Sequence, residues 1–300
     1  MPPTELLRHT MQTTTITTPR GAFGTYQLGA RHAPVVMALH GFPDTARSWR
    51  PVGERLAAQG FHVVAPYLRG YAPSPLDGPF DVDTLADDLA AIVAAVSPGA
   101  PVVLVGHDWG AVIAYIALLR HPTLFRVAVT LAVPHPLAFL ESLPRTPSQV
   151  LRSSYMALFQ IPRVAEAIVT RNDFAFIDTL WQRWSPGYVL PLDERRALKN
   201  CLAASMPGPL GPYRTLAWPP QAALQRIAHA RDGRIGVPTL HLQGDQDGCI
   251  AVAACVGEER FFSAVFESRV LAGVGHFAPL EAPDAVAQAI VGWTARHGAL

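Results

Sequence analysis

The residues Gly106-His107-Asp108-Trp109-Gly110 carry the strongest chemical signal in the chain. They follow an apolar run at 102–105 and open the apolar stretch 109–120. A buried strand that runs straight into a helix makes a sharp turn and holds one side chain up at the end of a sheet. Glycine at both ends fits such a turn, because strand and helix backbones approach too closely for a Cβ. The side chain presented is a carboxylate, Asp108. At a helix N-terminus the backbone dipole favours its ionised form. An ionised carboxylate attacks carbon without first giving a proton to a base. Its natural target is a saturated carbon bearing a leaving group, since the product is an ester that water can cleave. A helix cap alone would not require the flanking glycines.

Cleaving that ester needs a base, an acid that orients the base, and donors for an oxyanion. His276, in Gly275-His276-Phe277, is the candidate base, because a near-neutral imidazole can take a proton from water. The chain has 11 histidines, so His276 stands out by its place in the constellation and not by its type. Asp247, in Gly244-Asp245-Gln246-Asp247-Gly248, is the candidate orienting acid, with Asp245 as the weaker rival. The backbone N–H groups of Phe42, in His40-Gly41-Phe42-Pro43, and of Trp109 are the candidate oxyanion donors. The three cysteines, Cys201, Cys249 and Cys255, are odd in number and form no C-x-x-C pair. That points away from a disulfide framework or a zinc site and towards a reducing cytoplasm. No metal and no organic cofactor is expected.

The hydrophobic pattern outlines the elements that must position these groups. Residues 13–18 and 23–28 read as an antiparallel pair of strands. The apolar runs 34–39 and 61–65 read as strands buried on both faces, with a helix over 46–59 between them. Over 81–96, Val82, Leu85, Leu89, Ile92, Val93 and Val96 fall on one helical stripe. A strand at 102–105, a helix at 109–120 and a strand at 127–133 follow. Alternating strand and helix predicts a mostly parallel sheet with helices on both faces. From Pro134 to about Pro220 the pattern is helical with no buried strand. Prolines mark the entry (Pro134, Pro136, Pro144, Pro147) and the exit (Pro207, Pro209, Pro212, Pro219, Pro220). The strand–helix pattern returns with a strand at 239–242, a helix near 251–262, a strand near 268–271 and a helix over 282–296. The expected organisation is a core of 13–134 and 221–300, a helical cap over 135–220, and a loose leader at 1–12.

Composition excludes several classes of function. Half of the 300 residues are hydrophobic and 16% are charged, the reverse of a disordered chain. With 24 basic and 23 acidic residues, the net charge of +1 offers nothing to neutralise a phosphate backbone, so no nucleic-acid partner is expected. The most apolar window, 101–119, contains Pro101, Gly106, His107, Asp108 and Gly110 and is no membrane span. Residues 1–18 are polar and Thr-rich, without the apolar stretch of a secretory signal, and Met11 is an alternative start to Met1. A cytoplasmic location is the expectation.

The motifs together resemble a known family. HGFPD at 40–44, GHDWG at 106–110, GDQD at 244–247 and GVGHF at 273–277 look like those of the epoxide hydrolases of the α/β-hydrolase superfamily. They stand in that family's order, from about residue 20 to the C-terminus. The resemblance implies an α/β-hydrolase fold with an eight-stranded sheet and an inserted helical cap. Tyr155 to Pro162, followed by Val164-Ala165-Glu166, is similar to a cap segment whose leading tyrosine binds the epoxide oxygen. Pro212-Tyr213-Arg214 is similar to the setting of a second cap tyrosine. Tyr155 and Tyr213 would then be the acid pair. Opening an epoxide makes an alkoxide, a poor leaving group, and a phenol can donate to it as it forms.

Haloalkane dehalogenases share the aspartate nucleophile and are the alternative. Many of them carry a halide-binding Asn where this chain has Phe42. Trp181 and Trp184 in the cap, beside Trp109, would bind halide on that reading. A fluoroacetate dehalogenase would be expected to have Arg at position 109. Gly248-Cys249-Ile250 departs from the commoner Pro-containing turn after the acid, and Arg69-Gly70-Tyr71 matches a structural superfamily loop. A binding protein that kept the fold without catalysis is the third class. The reading taken forward is an epoxide hydrolase acting on a small apolar epoxide and water. Phe42, Trp109, Trp181 and Trp184 are its substrate-binding candidates, and a homodimer is left open.

Overall fold

Uninterrupted apolar runs form the middle of one sheet. The computed structural model describes residues 12–217 and 233–298. Residues 1–11 of the expected leader, Pro219 and Pro220 lie outside the described residues. The strands are β1 (Gln12–Thr18), β2 (Gly21–Leu28), β3 (Val35–Leu39), β4 (His62–Pro66), β5 (Val102–His107), β6 (Phe125–Leu131), β7 (Thr239–Gly244) and β8 (Phe266–Leu271). They form one eight-stranded sheet in the order β1-β2-β4-β3-β5-β6-β7-β8. The β1/β2 and β2/β4 pairs are antiparallel and all the others parallel. Every residue of β3, β4, β5 and β7 is buried, as strands covered on both faces require.

Strand periodicity sends alternate residues to two separate cores. Val35, Met37 and Leu39 pack with Leu85, Leu89 and Ile92 of α2 (Val82–Val96) and with Ile113 and Leu118 of α3 (Trp109–Arg120). Val36 and Ala38 face α1 (Arg50–Ala58) and α11 (Pro283–His297), where Val52, Leu56, Ile290 and Trp293 are buried. Each fully buried Val, Leu, Ile or Met among them stabilises the fold by about 1.5–3 kcal/mol. The stripe on α2 lies where its spacing places it, with Asp81 accepting the Thr84 N–H as the N-cap. Arg69 pairs with Asp88 of α2 at 2.6 Å, which ties the Arg69-Gly70-Tyr71 loop to the sheet's flank.

Between β6 and β7 the described chain is helical. It forms α4 (Pro136–Ser142), α5 (Pro147–Arg152), α6 (Tyr155–Phe159), α7 (Val164–Trp184), α8 (Leu192–Ser205) and α9 (Gly211–Ala217). Helix α7 is broken at 171–174, where Asn172, Asp173 and Phe174 take positive φ. A one-turn helix α10 (Ala278–Glu281) precedes α11.

Three local expectations change. The helix expected near 251–262 is instead two 3₁₀ turns, Val252–Cys255 and Glu258–Phe261, separated by Gly257 at φ 87°. The helix expected over 46–59 starts as a 3₁₀ turn, Ala46–Trp49, before α1. Pro51 has no N–H to continue a single helix through that point. The strand expected at 127–133 is β6 and ends at Leu131, because Ala132 turns to φ 68°.

Candidate active site

Asp108 sits between β5 and α3 with φ 52° and ψ −117°. For a non-glycine residue that conformation costs on the order of 1–3 kcal/mol. The approach of the backbones explains the flanking glycines. A Cβ on Gly106 would lie 2.3 Å from the Gly110 carbonyl oxygen, and one on Gly110 would lie 2.3 Å from that of Leu39. The strain aims the carboxylate off the C-terminal end of the sheet. Phe42, just past the neighbouring strand β3, donates its backbone N–H to Asp108 Oδ1 at 2.7 Å. Asp108 Oδ2 lies 3.6 Å from His276 Nε2.

His276 lies in the loop between β8 and α10 and is fully buried. Its Nδ1–H donates to Asp247 Oδ2 at 2.9 Å. Asp247 Oδ1 accepts the backbone N–H groups of Cys249 (2.7 Å) and Ile250 (2.9 Å), and Gln243 Nε2 donates to Oδ2 at 3.0 Å. These donors compensate a carboxylate taken out of water. Asp245, two residues earlier, is exposed and accepts the Gly273 N–H at 2.7 Å, which ties the turn after β7 to the turn after β8. Asp247, not Asp245, contacts the imidazole.

The two acids set the charge of the imidazole. Burial works against a charged ring, but Asp247 and Asp108 outweigh it and raise the His276 pKa to about 10. Burial would raise the Asp108 carboxyl, but the adjacent His276 imidazolium and the Phe42 N–H bring it below the usual carboxylate range. Burial holds His107 neutral, with a pKa of about 4, and its Nε2–H donates to the His276 carbonyl at 2.8 Å.

Asp108 opens into a cavity of about 340 Å³ with aliphatic walls, whose lining also includes Trp109, Tyr155, Tyr213 and Cys249. Tyr155 comes from α6 and Tyr213 from α9, with ring centroids 5.8 Å apart. The Tyr213 ring meets Trp109 edge-on at 4.9 Å. Its hydroxyl is buried and without a hydrogen-bond partner. The Tyr155 hydroxyl lies 3.8 Å from Cys249 Sγ. Burial pushes both phenols well above their ordinary pKa, so both remain proton donors.

The remaining aromatic candidates stand outside that lining. Trp181 stacks on Phe277 at 3.5 Å and donates its indole N–H to the Pro43 carbonyl at 3.1 Å. Trp184 packs against His276 at 5.0 Å and Tyr155 at 5.1 Å. The Phe42 ring packs against Phe159 and Tyr213.

Sequence reasoning missed the supports of the histidine loop. Glu281 Oε1 accepts from the Ser185 hydroxyl (2.5 Å) and the Phe277 N–H (3.0 Å), and its Oε2 accepts the Gly275 N–H (2.8 Å). The Trp184 carbonyl accepts the N–H groups of His276 and Gly248, each at 3.0 Å. A carboxylate five residues after the candidate base, ahead of a helix, was the available signal for Glu281. Nothing in the sequence pointed to a carbonyl at position 184.

A protein-family model described as the alpha/beta hydrolase fold matches residues 34–283. The chain is similar to mouse epoxide hydrolase 4, 29% identical over 270 residues, covering 86% of this chain and 72% of that protein. It is 28% identical to epoxide hydrolase A of Mycobacterium tuberculosis, over 88% of this chain and 91% of that protein. A solved structure of an epoxide hydrolase of the same superfamily, from hot-environment metagenomes, superposes with a TM-score of 0.80 at 26% identity, covering 96% of this chain and 100% of that one.

Proposed function

This chain belongs to the α/β-hydrolase fold family, and we propose that it is an epoxide hydrolase working through an ester on Asp108. The observation that carries the reading is the pair of protonated phenols, Tyr155 and Tyr213, in one apolar cavity with an ionised carboxylate. The epoxide hydrolase names of the relatives support it. Residues 13–134 and 221–300 then act as the catalytic core and 135–220 as a cap, with the substrate between them.

Asp108 Oδ2 attacks an epoxide carbon, and the carbon–oxygen bond of the ring breaks. The ring oxygen takes a proton from Tyr155 or Tyr213. Oδ1, already held by the Phe42 N–H, becomes the ester carbonyl oxygen. Esterification removes one of the two negative charges that keep His276 protonated. The imidazolium then gives its proton back to the tyrosinate and becomes a neutral base. Next it takes a proton from water, and the resulting hydroxide adds to the ester carbonyl. The Phe42 and Trp109 N–H groups hold the oxyanion. The acyl–oxygen bond breaks, His276 protonates the leaving alkoxide, and a vicinal diol departs. Asp247 keeps the imidazole in the required tautomer and orientation.

Epibromohydrin tests this directly, since it offers an epoxide and a carbon–bromine bond in one molecule. The expected product is the bromodiol with bromine retained, absent with Asp108→Ala. Primary release of bromide with glycidol would instead make the chain a dehalogenase. The Trp181 N–H that such an enzyme would turn to halide is already committed to Pro43.

A further inference from the structure

A second buried constellation lies away from the cavity, where the chain crosses from β7 to β8. Among the described residues, His241, Cys255 and Glu258 are all buried, and one ligand atom from each lies within 4.8 Å of the others. His241 points from β7, and the other two come from the pair of 3₁₀ turns that replace the expected helix. Two of the atoms have no hydrogen-bond partner, His241 Nε2 and Glu258 Oε1, and both side chains are fully buried. A buried polar atom without a partner has given up its hydrogen bonds to water and gained none in return.

The outer atoms of the same side chains are engaged. His241 Nδ1 lies 3.2 Å from Thr130 Oγ1, which itself lies 2.8 Å from the Tyr115 hydroxyl. Nδ1–H donating to Thr130 leaves Nε2 with its lone pair facing Glu258 and Cys255. Glu258 Oε2 accepts the His135 N–H at 2.7 Å, which leaves Oε1 as the inward oxygen. A histidine fixed through its far nitrogen and a carboxylate fixed through its far oxygen are the usual supports of a metal ligand set.

We infer that His241 Nε2, Cys255 Sγ and Glu258 Oε1 form a buried site for a divalent cation of the zinc class. Imidazole, thiolate and carboxylate are the donors that zinc takes, at about 2.0–2.3 Å each. Those bond lengths set tetrahedral ligands roughly 3.5 Å apart, so side-chain torsion has about 1 Å left to close. The charges balance. Binding releases the Cys255 thiol proton, and thiolate plus carboxylate neutralise a dication beside a neutral imidazole. Three protein donors leave the fourth position to water. None of its ligands lines the cavity that holds Asp108, so the ion stands apart from the chemistry there. Its work is to pin the β7–β8 crossover, an irregular stretch with no helix of its own.

The test uses the full-length protein, freed of any purification tag, with Zn²⁺ and Co²⁺ as the probes. Elemental analysis after gel filtration in metal-free buffer is expected to find one zinc per chain. Co²⁺ is expected to give a sulfur-to-cobalt charge-transfer band. That band should vanish in Cys255→Ser and persist in Cys201→Ser. Thr130→Val, which removes the nearer partner of Nδ1 and leaves the three ligands in place, should weaken Co²⁺ binding about 10- to 100-fold. Sub-stoichiometric metal with no charge-transfer band in the wild-type protein would overturn the site. So would metal binding that survives Cys255→Ser unchanged, since surface histidines would then be the ligands. If Cys255→Ser does not fold, the wild-type band and the Thr130→Val affinity still decide.

Discussion

Among the described residues, two buried histidines lie within 4.0 Å of carboxylates, each with an unpartnered Nε2, and the two environments differ in access and in how the acid's oxygens are held. His276 is held between Asp247 at 2.9 Å and Asp108 at 3.6 Å. Both oxygens of Asp247 are supplied with donors, and the far side of the group opens on a 340 Å³ cavity. His241 lies 4.0 Å from Glu258, is closed off on every side, and leaves one atom of each partner without a hydrogen bond. The contrast separates two uses of the same residue types. Where N–H donors saturate the acid and substrate can enter, the pair stores a proton and gives it up on demand. Where the acid's inward oxygen is bare as well and both side chains are fully buried, the pair offers lone pairs to an ion.

Removing Asp108 should break the first environment most severely and leave the second intact. Asp108→Ala is expected to cut diol formation on the order of 10⁴-fold or more. Its Co²⁺ uptake should match wild type. Retention of even a hundredth of wild-type turnover would rule out Asp108 as the nucleophile.

His276→Gln sharpens the comparison by splitting the reaction. Turnover should fall about 10²- to 10⁴-fold, while the ester still forms. Intact mass after brief exposure to an epoxide should show the protein plus one substrate. If no adduct builds up, hydrolysis does not follow alkylation as proposed. The pH behaviour has a definite sign. In the wild-type protein the alkylation step should be flat from neutral pH upward, because Asp108 ionises below the usual carboxylate range. The hydrolysis step should slow as pH falls, because His276 must be neutral to act. Stability behaves differently. The folded-state pKa of about 10 lies above the ordinary 6.5. The stabilisation is therefore fully present below pH 6.5 and lost as pH rises towards 10. The difference in Tm between wild type and His276→Gln should shrink over that window.

Tyr155→Phe and Tyr213→Phe should each slow alkylation by about 10²-fold without affecting hydrolysis of the ester once made. Single-turnover quench kinetics separates the two steps. A Tyr213→Phe protein with a normal alkylation rate would remove that phenol from the proposed mechanism.

The smallest effect on catalysis belongs to His241→Gln. Its kcat and KM should stay at wild-type values, while its Tm falls by about 2–4 °C for each kcal/mol lost. A changed kcat would mean that the two environments are coupled, and the short path from Cys255 through Gln243 to Asp247 would be the route.

Local pattern made much of this molecule legible. Helix α3 runs from Trp109 to Arg120 as its apolar stretch indicates, and the need for Gly106 and Gly110 follows from the backbone approach at the turn. Asp108 and His276 could be named because each stands where a strand ends, and a strand end is marked by a change of composition. What depends on direction was harder to see. Asp245 and Asp247 share one turn, and only its three-dimensional course decides which carboxylate faces inward. The stretch 251–262 has the composition of a helix. Gly257 at φ 87° breaks it, and the buried Glu258 draws its second half towards His135. The meeting of His241 with Cys255 and Glu258 has no spacing signature, because the sheet brings the residues together across the crossover.

The Trp184 carbonyl joins the histidine loop and the acid loop to the end of α7, and Glu281 ties Ser185 to the same loop. Gly248 leaves no room there, since a Cβ would collide with the Arg183 carbonyl. The helical segment is therefore not an interchangeable module. A chimera that grafts a relative's insert onto this core inherits a new backbone at 183–185, and with it a new seat for the imidazole. Recombining such enzymes to widen substrate range should keep residues 181–188 with the core they came from and exchange only what lies before them.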